Sequence, residues 1–278
     1  MKIDNHLLFD DAGAQVPFRE SPNIGGALTP RYLVMHFTAG ASADSSIRHL
    51  CNPAAKASAH LVIGRDGAIV QLVPFDRVAW HAGVSRWGDI RGLNGHSIGI
   101  ELDNAGALTG AAGAWKTWFG RACPDDDCVV AAHRNGGATC GWHAYPEAQI
   151  SAALAASEAI FAAYRLDDIL GHDDIAPGRK TDPGPAFPMD HFRSRLAGRA
   201  DDAFPLMETT ANVNVREGPG TQFGKLDISP APRGTLFEPD GRDGVWLSGE
   251  VLDARGAPAA SGWIHGNYLT VTTRRPGA

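Results

Sequence analysis

The pattern of apolar and turn residues changes near residue 201. This change constrains the fold more than any other single feature of the sequence. Before it, apolar runs of strand length are combined with a segment of helical periodicity, as in α/β and α+β domains. After it, residues 207–272 show short alternating strands, many turn residues and no helical pattern, as a small β-barrel would. We therefore predict an α/β domain, a mixed sheet flanked by helices, over residues 1–200 and a small all-β domain over residues 205–278, with the boundary at about 198–206.

Length and charge exclude several classes of function. A chain of 278 residues, 44% hydrophobic and 20% charged, accommodates two domains and at least one buried core. Its net charge of −6 provides no basic field for nucleic acid or an anionic membrane, so neither is an expected partner. No segment has the apolar length of a signal peptide or a membrane span, which predicts synthesis in the cytoplasm without Sec export. We expect a monomer.

Local patterns assign the main elements of the first domain. Apolar runs predict two strands and a hairpin: residues 31–37, residues 96–102, and residues 60–64 with 68–73. Residues 146–165 carry an i, i+3, i+4 apolar stripe on an alanine-rich body, which predicts a helix. The stretch between residues 104 and 145, here called the insert, has no clear periodicity.

The segment 171–188 concentrates residues that carry chemistry. Prolines and a glycine around Asp182 restrict the backbone, so that His172, Lys180 and Asp182 can be held in one rigid loop. A catalytic zinc takes three protein ligands of N, O or S type and leaves a fourth position for water. His172 and Asp182 supply two of them, and His36, at the end of a predicted strand, is the candidate for the third.

Glu101 is an ionisable residue inside an otherwise apolar strand, which is costly unless it faces a cleft or a partner. Facing a catalytic water, it could accept a proton as that water attacks a carbonyl, and Lys180 could stabilise the resulting oxyanion. Each residue also has a structural alternative. His36 could be a satisfied core histidine, Asp182 a turn residue, Lys180 a solvated lysine and Glu101 a buried ion-pair partner.

Three segments together resemble the type-2 N-acetylmuramoyl-L-alanine amidase family, which is related to the peptidoglycan-recognition proteins. They are Val34-Met35-His36-Phe37-Thr38-Ala39, His96 to Leu102, and Gly171-His172 through Lys180-Thr181-Asp182-Pro183-Gly184-Pro185. The resemblance covers roughly residues 20–195. It implies a zinc ion held by His36, His172 and Asp182, a catalytic glutamate at Glu101 and a lysine at Lys180. It also implies that His60, Trp80 and His81 line the substrate groove.

Residues 207–272 resemble bacterial SH3-like wall-binding domains. The resemblance rests on Ala211 to Gly220, a strand followed by a Gly-Pro-Gly turn, and on Gly262 to Leu269, which contains Trp263 and Tyr268. It implies a small barrel with peptidoglycan as the partner.

Several other polar residues lack a motif. Asp173 and Asp174 adjoin His172, which favours a supporting or capping role over metal ligation. His133, His143, His191 and His265 are interpreted as surface or local structural residues. The cysteines Cys51, Cys123, Cys128 and Cys140 are compatible with a disulfide, with a second zinc site that also uses His133 or His143, or with free thiols.

Three functions remain open at this point. The favoured one is a zinc-dependent hydrolase that cuts the amide bond between N-acetylmuramic acid and L-alanine in intact peptidoglycan. The second domain favours a polymeric substrate, because tethering helps only on a lattice. Delivery as a phage endolysin or by a secretion system would suit such an enzyme. The alternatives are a cytosolic amidase that recycles anhydro-muropeptides and a non-catalytic peptidoglycan-recognition module.

Overall fold

The computed structural model describes residues 1–197, 206–243 and 245–272. The chain divides into two compact units, Met1–Phe192 and Arg193–Ala278. Part of the boundary expected at about 198–206 lies outside the described residues. Among the helices that are described, none has both the length and the apolar character needed to cross a bilayer.

The first unit contains fourteen strands and most of the helical segments. Its strands are β1 (Lys2–Asp4), β2 (Leu7–Phe9), β3 (Ile24–Ala27), β4 (Tyr32–Phe37), β5 (Leu61–Ile63), β6 (Ile69–Gln71), β7 (Arg77–Ala79), β8 (Arg86–Trp87), β9 (Ile90–Arg91), β10 (Ser97–Leu102), β11 (Ala107–Leu108), β12 (Cys128–Ala131), β13 (Cys140–His143) and β14 (Asp168–Gly171). Its helices are α1 (Ala43–Leu50), α2 (Glu147–Tyr164) and α3 (His172–Ile175), and α4 (Met189–Ala197) begins in this unit.

A five-stranded sheet in the order β14-β4-β10-β5-β6 forms the centre of this unit. The first four strands are parallel, and β6 pairs antiparallel with β5. Strands buried on both faces read as continuous apolar runs, which explains the pattern of β4 and β10. One face carries Leu33, Met35, Ile98 and Ile100, all fully buried. The unit therefore has the mixed α/β architecture that the sequence predicts.

Two helices have clear local causes. Ser42 caps α1, because its hydroxyl accepts a hydrogen bond from the backbone N–H of Ser45. In return, the hydroxyl of Ser45 accepts a hydrogen bond from the backbone N–H of Ser42. Pro146 precedes α2 and Glu147 lies in its first turn, where a negative charge favours the helix dipole. Helix α2 packs against β1 and β5.

The insert folds into a small three-stranded antiparallel sheet in the order β11-β13-β12. Leu108, Trp115 and Cys123 form its buried core, with Cys128 packed against them. Cys51, Cys123, Cys128 and Cys140 are free thiols. Of the alternatives left open for these cysteines, the structure therefore shows neither a disulfide nor, among the described residues, a second metal cluster.

The second unit is an antiparallel sheet in the order β18-β17-β16-β15-β19. Its strands are β15 (Met207–Thr209), β16 (Leu236–Asp243), β17 (Trp246–Leu252), β18 (Pro258–His265) and β19 (Leu269–Val271). Val215, Phe237 and Ile264 are fully buried in its core. Arg216 and Trp263 exchange two backbone hydrogen bonds, of 2.9 and 2.8 Å, so residues near Arg216 cover the outer edge of β18.

Candidate metal centre

The carboxyl ends of three neighbouring parallel strands position the candidate site. His36 is the last but one residue of β4, and Glu101 is its direct neighbour on β10. Gly171 ends β14 opposite Met35, which places His172 next to His36. Side chains that follow such strands meet in the crevice at the carboxyl edge of the sheet. The loop after α3 then returns Asp182 to the same point.

His36, His172 and Asp182 form a triangle of potential ligand atoms. His36 Nδ1, His172 Nδ1 and Asp182 Oδ2 lie 2.9 Å from one another in each of the three pairs. All three side chains are buried. Within the described residues, this is the group of three metal-ligating side chains that could hold an ion.

Hydrogen bonds at the far nitrogens fix the tautomers of both histidines. His81 Nε2 lies 3.3 Å from the carbonyl oxygen of Ser97, which can only accept, so His81 Nδ1 carries no proton. His36 Nε2 lies 2.9 Å from that Nδ1 and must therefore donate to it. In the same way, His172 Nε2 lies 3.1 Å from the carbonyl oxygen of Ala82. Both Nδ1 atoms therefore present lone pairs to the centre of the triangle.

Three acceptor atoms at this separation repel one another unless a cation lies between them. In a tetrahedral zinc site with bonds of about 2.0–2.2 Å, ligand atoms lie about 3.3 Å apart, close to the spacing found here. Two imidazole nitrogens and one carboxylate oxygen are also a donor set that zinc accepts, with a fourth position left for water. The residues present therefore fit a catalytic zinc ion.

The charge states also suit a cation. Burial and the neighbouring His172 lower the pKa of His36 to about 4, so its imidazole is neutral at pH 7. Burial acts to raise the pKa of Asp182, but the two imidazoles outweigh it and hold that pKa well below its ordinary value. A neutral imidazole at His36 and an ionised carboxylate at Asp182 are the forms that bind a metal.

Glu101 contributes a carboxyl oxygen without a protein partner. Its Oε2 is buried and makes no hydrogen bond within the described structure. Burial, with a smaller contribution from Asp182, raises the pKa of Glu101 to about 8, while the charge of Lys180 acts to lower it. An unpaired buried oxygen costs about 1–3 kcal/mol, so this geometry indicates a partner that binds from outside the fold.

Glu101 lines a cleft of about 440 Å³. Residues 38–41, part of α1, and the aromatic residues Trp118 and Phe119 of the insert line the same cleft. Trp118 is 66% exposed, yet its indole N–H donates to the carbonyl oxygen of Ala39 at 2.8 Å. The ring is thus fixed in orientation while one face stays open. No local pattern in the sequence identified this residue.

Of the three residues expected to line the groove, His60 and His81 are buried. His60 is fully buried, with Nδ1 accepting from the N–H of Gly99 and Nε2 donating to the carbonyl oxygen of Arg77. His81 is buried beneath His36 in the chain of hydrogen bonds described above. Both rings therefore have their nitrogens engaged inside the fold. Trp80 is half-buried, and its contact with substrate stays a prediction.

Asp173 and Asp174 bind residues of the insert. Asp173 Oδ2 lies 3.0 Å from His133 Nε2, and both carboxylates contact Arg134. His133 is one of the four histidines interpreted as surface or local structural residues. It is buried, and through Asp173 it contacts the loop that carries His172 and Asp182. The run His133-Arg134-Asn135, in an otherwise glycine-rich loop, was the one signal in the sequence that could have revealed this link.

Comparison with known proteins identifies relatives of the first unit. A sequence profile described as N-acetylmuramoyl-L-alanine amidase, Amidase_2, matches residues 26–185, a range that contains every site residue named above. The chain is 38% identical over 144 residues to the 1,6-anhydro-N-acetylmuramyl-L-alanine amidase AmpD of Salmonella typhimurium strain SL1344, covering 51% of this chain and 58% of AmpD. It is 32% identical over 182 residues to the N-acetylmuramoyl-L-alanine amidase AmiD of Escherichia coli K12, covering 62% of this chain and 55% of AmiD.

The chain therefore spans somewhat more than half the length of these curated relatives. Two solved structures are also similar. One is a selenomethionine derivative of AmpD, with 30% identity, a TM-score of 0.49, and coverage of 70% of this chain and 99% of that one. The other is AmiD from E. coli in complex with anhydro-N-acetylmuramic acid-L-Ala-D-γ-Glu-L-Lys, with 29% identity, a TM-score of 0.46, and coverage of 67% and 65%.

Proposed function

Because the chain belongs to the N-acetylmuramoyl-L-alanine amidase family, we propose that it hydrolyses the amide bond between N-acetylmuramic acid and the L-alanine of the stem peptide. The observation that supports this most directly is the triangle of His36, His172 and Asp182 beside the unpaired carboxyl oxygen of Glu101. A metal site next to an acid–base group that lines a cleft is the arrangement that amide hydrolysis requires.

A zinc ion held by His36, His172 and Asp182 would lower the pKa of a water molecule to about 7 and polarise the substrate carbonyl. Glu101 accepts the proton of that water at Oε2 as its oxygen attacks the carbonyl carbon of the lactyl group. The same carboxyl then gives the proton to the alanine nitrogen as the C–N bond breaks. The products are a lactyl carboxylate and a peptide with a free amino terminus.

Lys180 stabilises the negative charge that develops on the former carbonyl oxygen. In support of this role, the charge of Lys180 acts to lower the pKa of both Glu101 and His36, as a nearby cation does. A preorganised cation in a partly buried site stabilises an oxyanion more than it would in water.

Two substrates are compatible with this chemistry. The names of the AmpD and AmiD relatives favour an N-acetylmuramoyl-L-alanine amide, and the name of AmpD specifies the 1,6-anhydro form. We place intact peptidoglycan first because the chain carries a second, all-β unit, and 1,6-anhydro-muropeptides second. The relatives do not support the phage or secretion-system delivery that the sequence suggested.

For the second unit, residues 205–278, we propose an SH3-like barrel that binds the cell wall. The antiparallel sheet and the covered edge of β18 support a barrel, because pairing at Arg216 and Trp263 continues the backbone hydrogen bonds past β18, as closure requires. A non-catalytic recognition module remains the rival for the whole chain. The complete set of metal ligands with Glu101 and Lys180 disfavours it.

The test is to incubate the purified chain with peptidoglycan sacculi and, separately, with a soluble 1,6-anhydro-muropeptide. Each reaction is run alone, with a chelator, and with zinc restored, and the products are identified by mass spectrometry. We expect peptides with an N-terminal L-alanine, lost with chelator and recovered with zinc. Zinc binding without peptide release from either substrate would contradict the proposal, and the relative rates would rank the two substrates.

A further inference from the structure

Side chains of the insert form hydrogen bonds and ion pairs with the turn that carries two of the three candidate metal ligands. This turn, residues 172–183 and here called the ligand turn, has His172 at its start and Asp182 near its end. It contains one short helix, α3, and otherwise consists of loop. A loop of this kind does not fix the separation of two side chains by itself, so the groups that hold it determine the geometry of the cluster.

The first contact between the insert and the ligand turn is made at the carboxylate of Asp173. Its side chain is 3% exposed, and both of its oxygens are bonded to the insert. His133 Nδ1 accepts from the N–H of Asn135 at 3.1 Å, so Nε2 carries the proton and donates to Asp173 Oδ2 at 3.0 Å. Arg134 donates from Nε to Oδ2 at 3.1 Å and from Nη2 to Oδ1 at 2.5 Å. This is a bidentate, charge-assisted pair.

The main chain of Asp173 transmits this constraint to both ligands. Its N–H donates to the carbonyl oxygen of Asp182 at 2.8 Å, and its carbonyl oxygen accepts from Asn135 Nδ2 at 2.9 Å. Asp173 also follows His172 directly in the sequence. A displacement of Asp173 would therefore move His172 and Asp182 relative to each other.

The insert also holds the other end of the ligand turn. The hydroxyl of Tyr145 donates to the carbonyl oxygen of Pro183 at 2.7 Å. Trp142, which packs against His133 with ring centres 5.7 Å apart, also covers Gly184, where a Cβ would lie 3.0 Å from the indole. The turn is thus held at both ends by a single structural unit.

We propose that Arg134 and His133 are positioning residues that hold His172 and Asp182 at the separation needed for zinc, so that the insert sets the metal affinity of the enzyme. This inference rests on the proposed metal centre. Arg134 has the larger role because it is bidentate on Asp173 and also contacts Asp174 Oδ1 at 2.7 Å. The insert therefore acts on the metal site without contributing a ligand.

The experiment compares the full chain with Arg134→Ala, Arg134→Lys and the control Lys116→Ala, which removes an exposed cation from the same insert. The zinc dissociation constant is measured at one pH by competition with a chromogenic chelator. We expect Arg134→Ala to bind zinc about 10–100-fold more weakly. Arg134→Lys should be intermediate, since an ammonium cannot bridge both carboxylate oxygens. Lys116→Ala should match the parent.

A second readout separates positioning from general stability. Cobalt(II) replaces zinc, and its visible absorption reports the ligand geometry; we expect altered bands in Arg134→Ala and parental bands in Lys116→Ala. Parental affinity and bands in Arg134→Ala would overturn the inference. If circular dichroism shows that Arg134→Ala does not fold, the same comparison of zinc affinity and cobalt bands is made with Arg134→Lys. A parent chain that binds no zinc would overturn both proposals, whereas zinc binding without peptide release would overturn only the reaction.

Discussion

At the scale of single residues, Glu101 combines a raised pKa with a buried oxygen that has no hydrogen-bond partner among the residues that the structure describes. Burial brings its pKa to about 8, close to neutrality, and a cation at the adjacent cluster would lower it again. A carboxyl group of this kind can accept and return a proton near pH 7, as a general acid–base residue must.

We therefore expect Glu101→Gln to lower kcat by a factor on the order of 10² or more, because the amide keeps the shape of the side chain but cannot accept the proton. Zinc content, measured by atomic absorption, should stay at the parental level. The matched control is Glu147→Gln, which changes an exposed glutamate on α2. Full turnover by the Glu101→Gln enzyme would show that another group accepts the proton.

Trp118 also acts at this scale. Its ring stands at the side of the cleft, and its N–H is already bonded to Ala39, so the exposed face is available for contact with a ligand. Since such aromatic contacts contribute about 0.5–1.5 kcal/mol, Trp118→Ala should raise KM roughly 2–10-fold with little change in kcat. Steady-state kinetics on a soluble muropeptide measure this. Trp118→Phe should recover part of the loss, and a fall in kcat alone would disprove a binding role.

At the scale of elements, a buried histidine links β10 to its neighbours. His60 accepts the N–H of Gly99 at 3.0 Å and donates to the carbonyl oxygen of Arg77 at 2.9 Å. Burial lowers the pKa of His60 to about 4 from an ordinary value of 6.5. Between these two pH values the unfolded chain binds a proton at this residue that the folded chain does not. The free energy of unfolding must therefore decrease as the pH falls through this window.

We expect His60 to contribute roughly 3 kcal/mol to this loss of stability between pH 6.5 and 4, on the basis of 1.36 kcal/mol per pKa unit. Urea unfolding of the metal-free chain at several pH values measures it. His60→Gln should remove this share of the pH dependence and leave the part that His36 contributes in the same window, whereas His49→Asn, a change at an exposed histidine, should leave all of it intact. Equal slopes for His60→Gln and the parent would refute this assignment.

The elements with strong local patterns were those that the sequence could predict. The runs at 31–37 and 96–102 correspond to β4 and β10, and the helical stripe at 146–165 corresponds to α2. Burial on one or both faces imposes these periods directly on the residues. The sheet of the insert was missed because its short strands pair around turns, and their burial depends on packing that no local period records.

The candidate site was likewise predicted only in part from the sequence. His36, His172 and Asp182 could be proposed from strand ends, a rigid loop and a family resemblance, and the structure brings the three together. The link between His133 and Asp173 was missed, because the two residues are forty positions apart and the run His133-Arg134-Asn135 does not by itself indicate its partner. Likewise, nothing in the segment around His81 indicates that its ring lies beneath His36. Gly99 makes this possible, since a Cβ there would overlap the ring.

At the scale of the whole molecule, the two compact units allow catalysis and wall attachment to be tested separately. If the second unit binds the wall, a chain ending at residue 200 should cleave a soluble muropeptide at the parental rate but no longer sediment with sacculi. Co-sedimentation and product analysis measure the two properties, with the thermal melting of the truncated chain as the control for folding. Parental sedimentation of the truncated chain would place wall binding in the first unit.

The direction of the hydrogen bonds from His36 through His81 to Ser97 has a calorimetric consequence. Because His36 donates away from the cluster, its Nδ1 faces the centre as an acceptor and has no proton for zinc to displace. Protons released when zinc binds at pH 7 should therefore come from Glu101, whose pKa of about 8 falls beside a cation, and from a water molecule at the metal. Titration calorimetry in phosphate-free buffers of low and high ionisation enthalpy counts these protons. We expect Glu101→Gln to release fewer protons than the parent, and an unchanged count would mean that Glu101 is not their source.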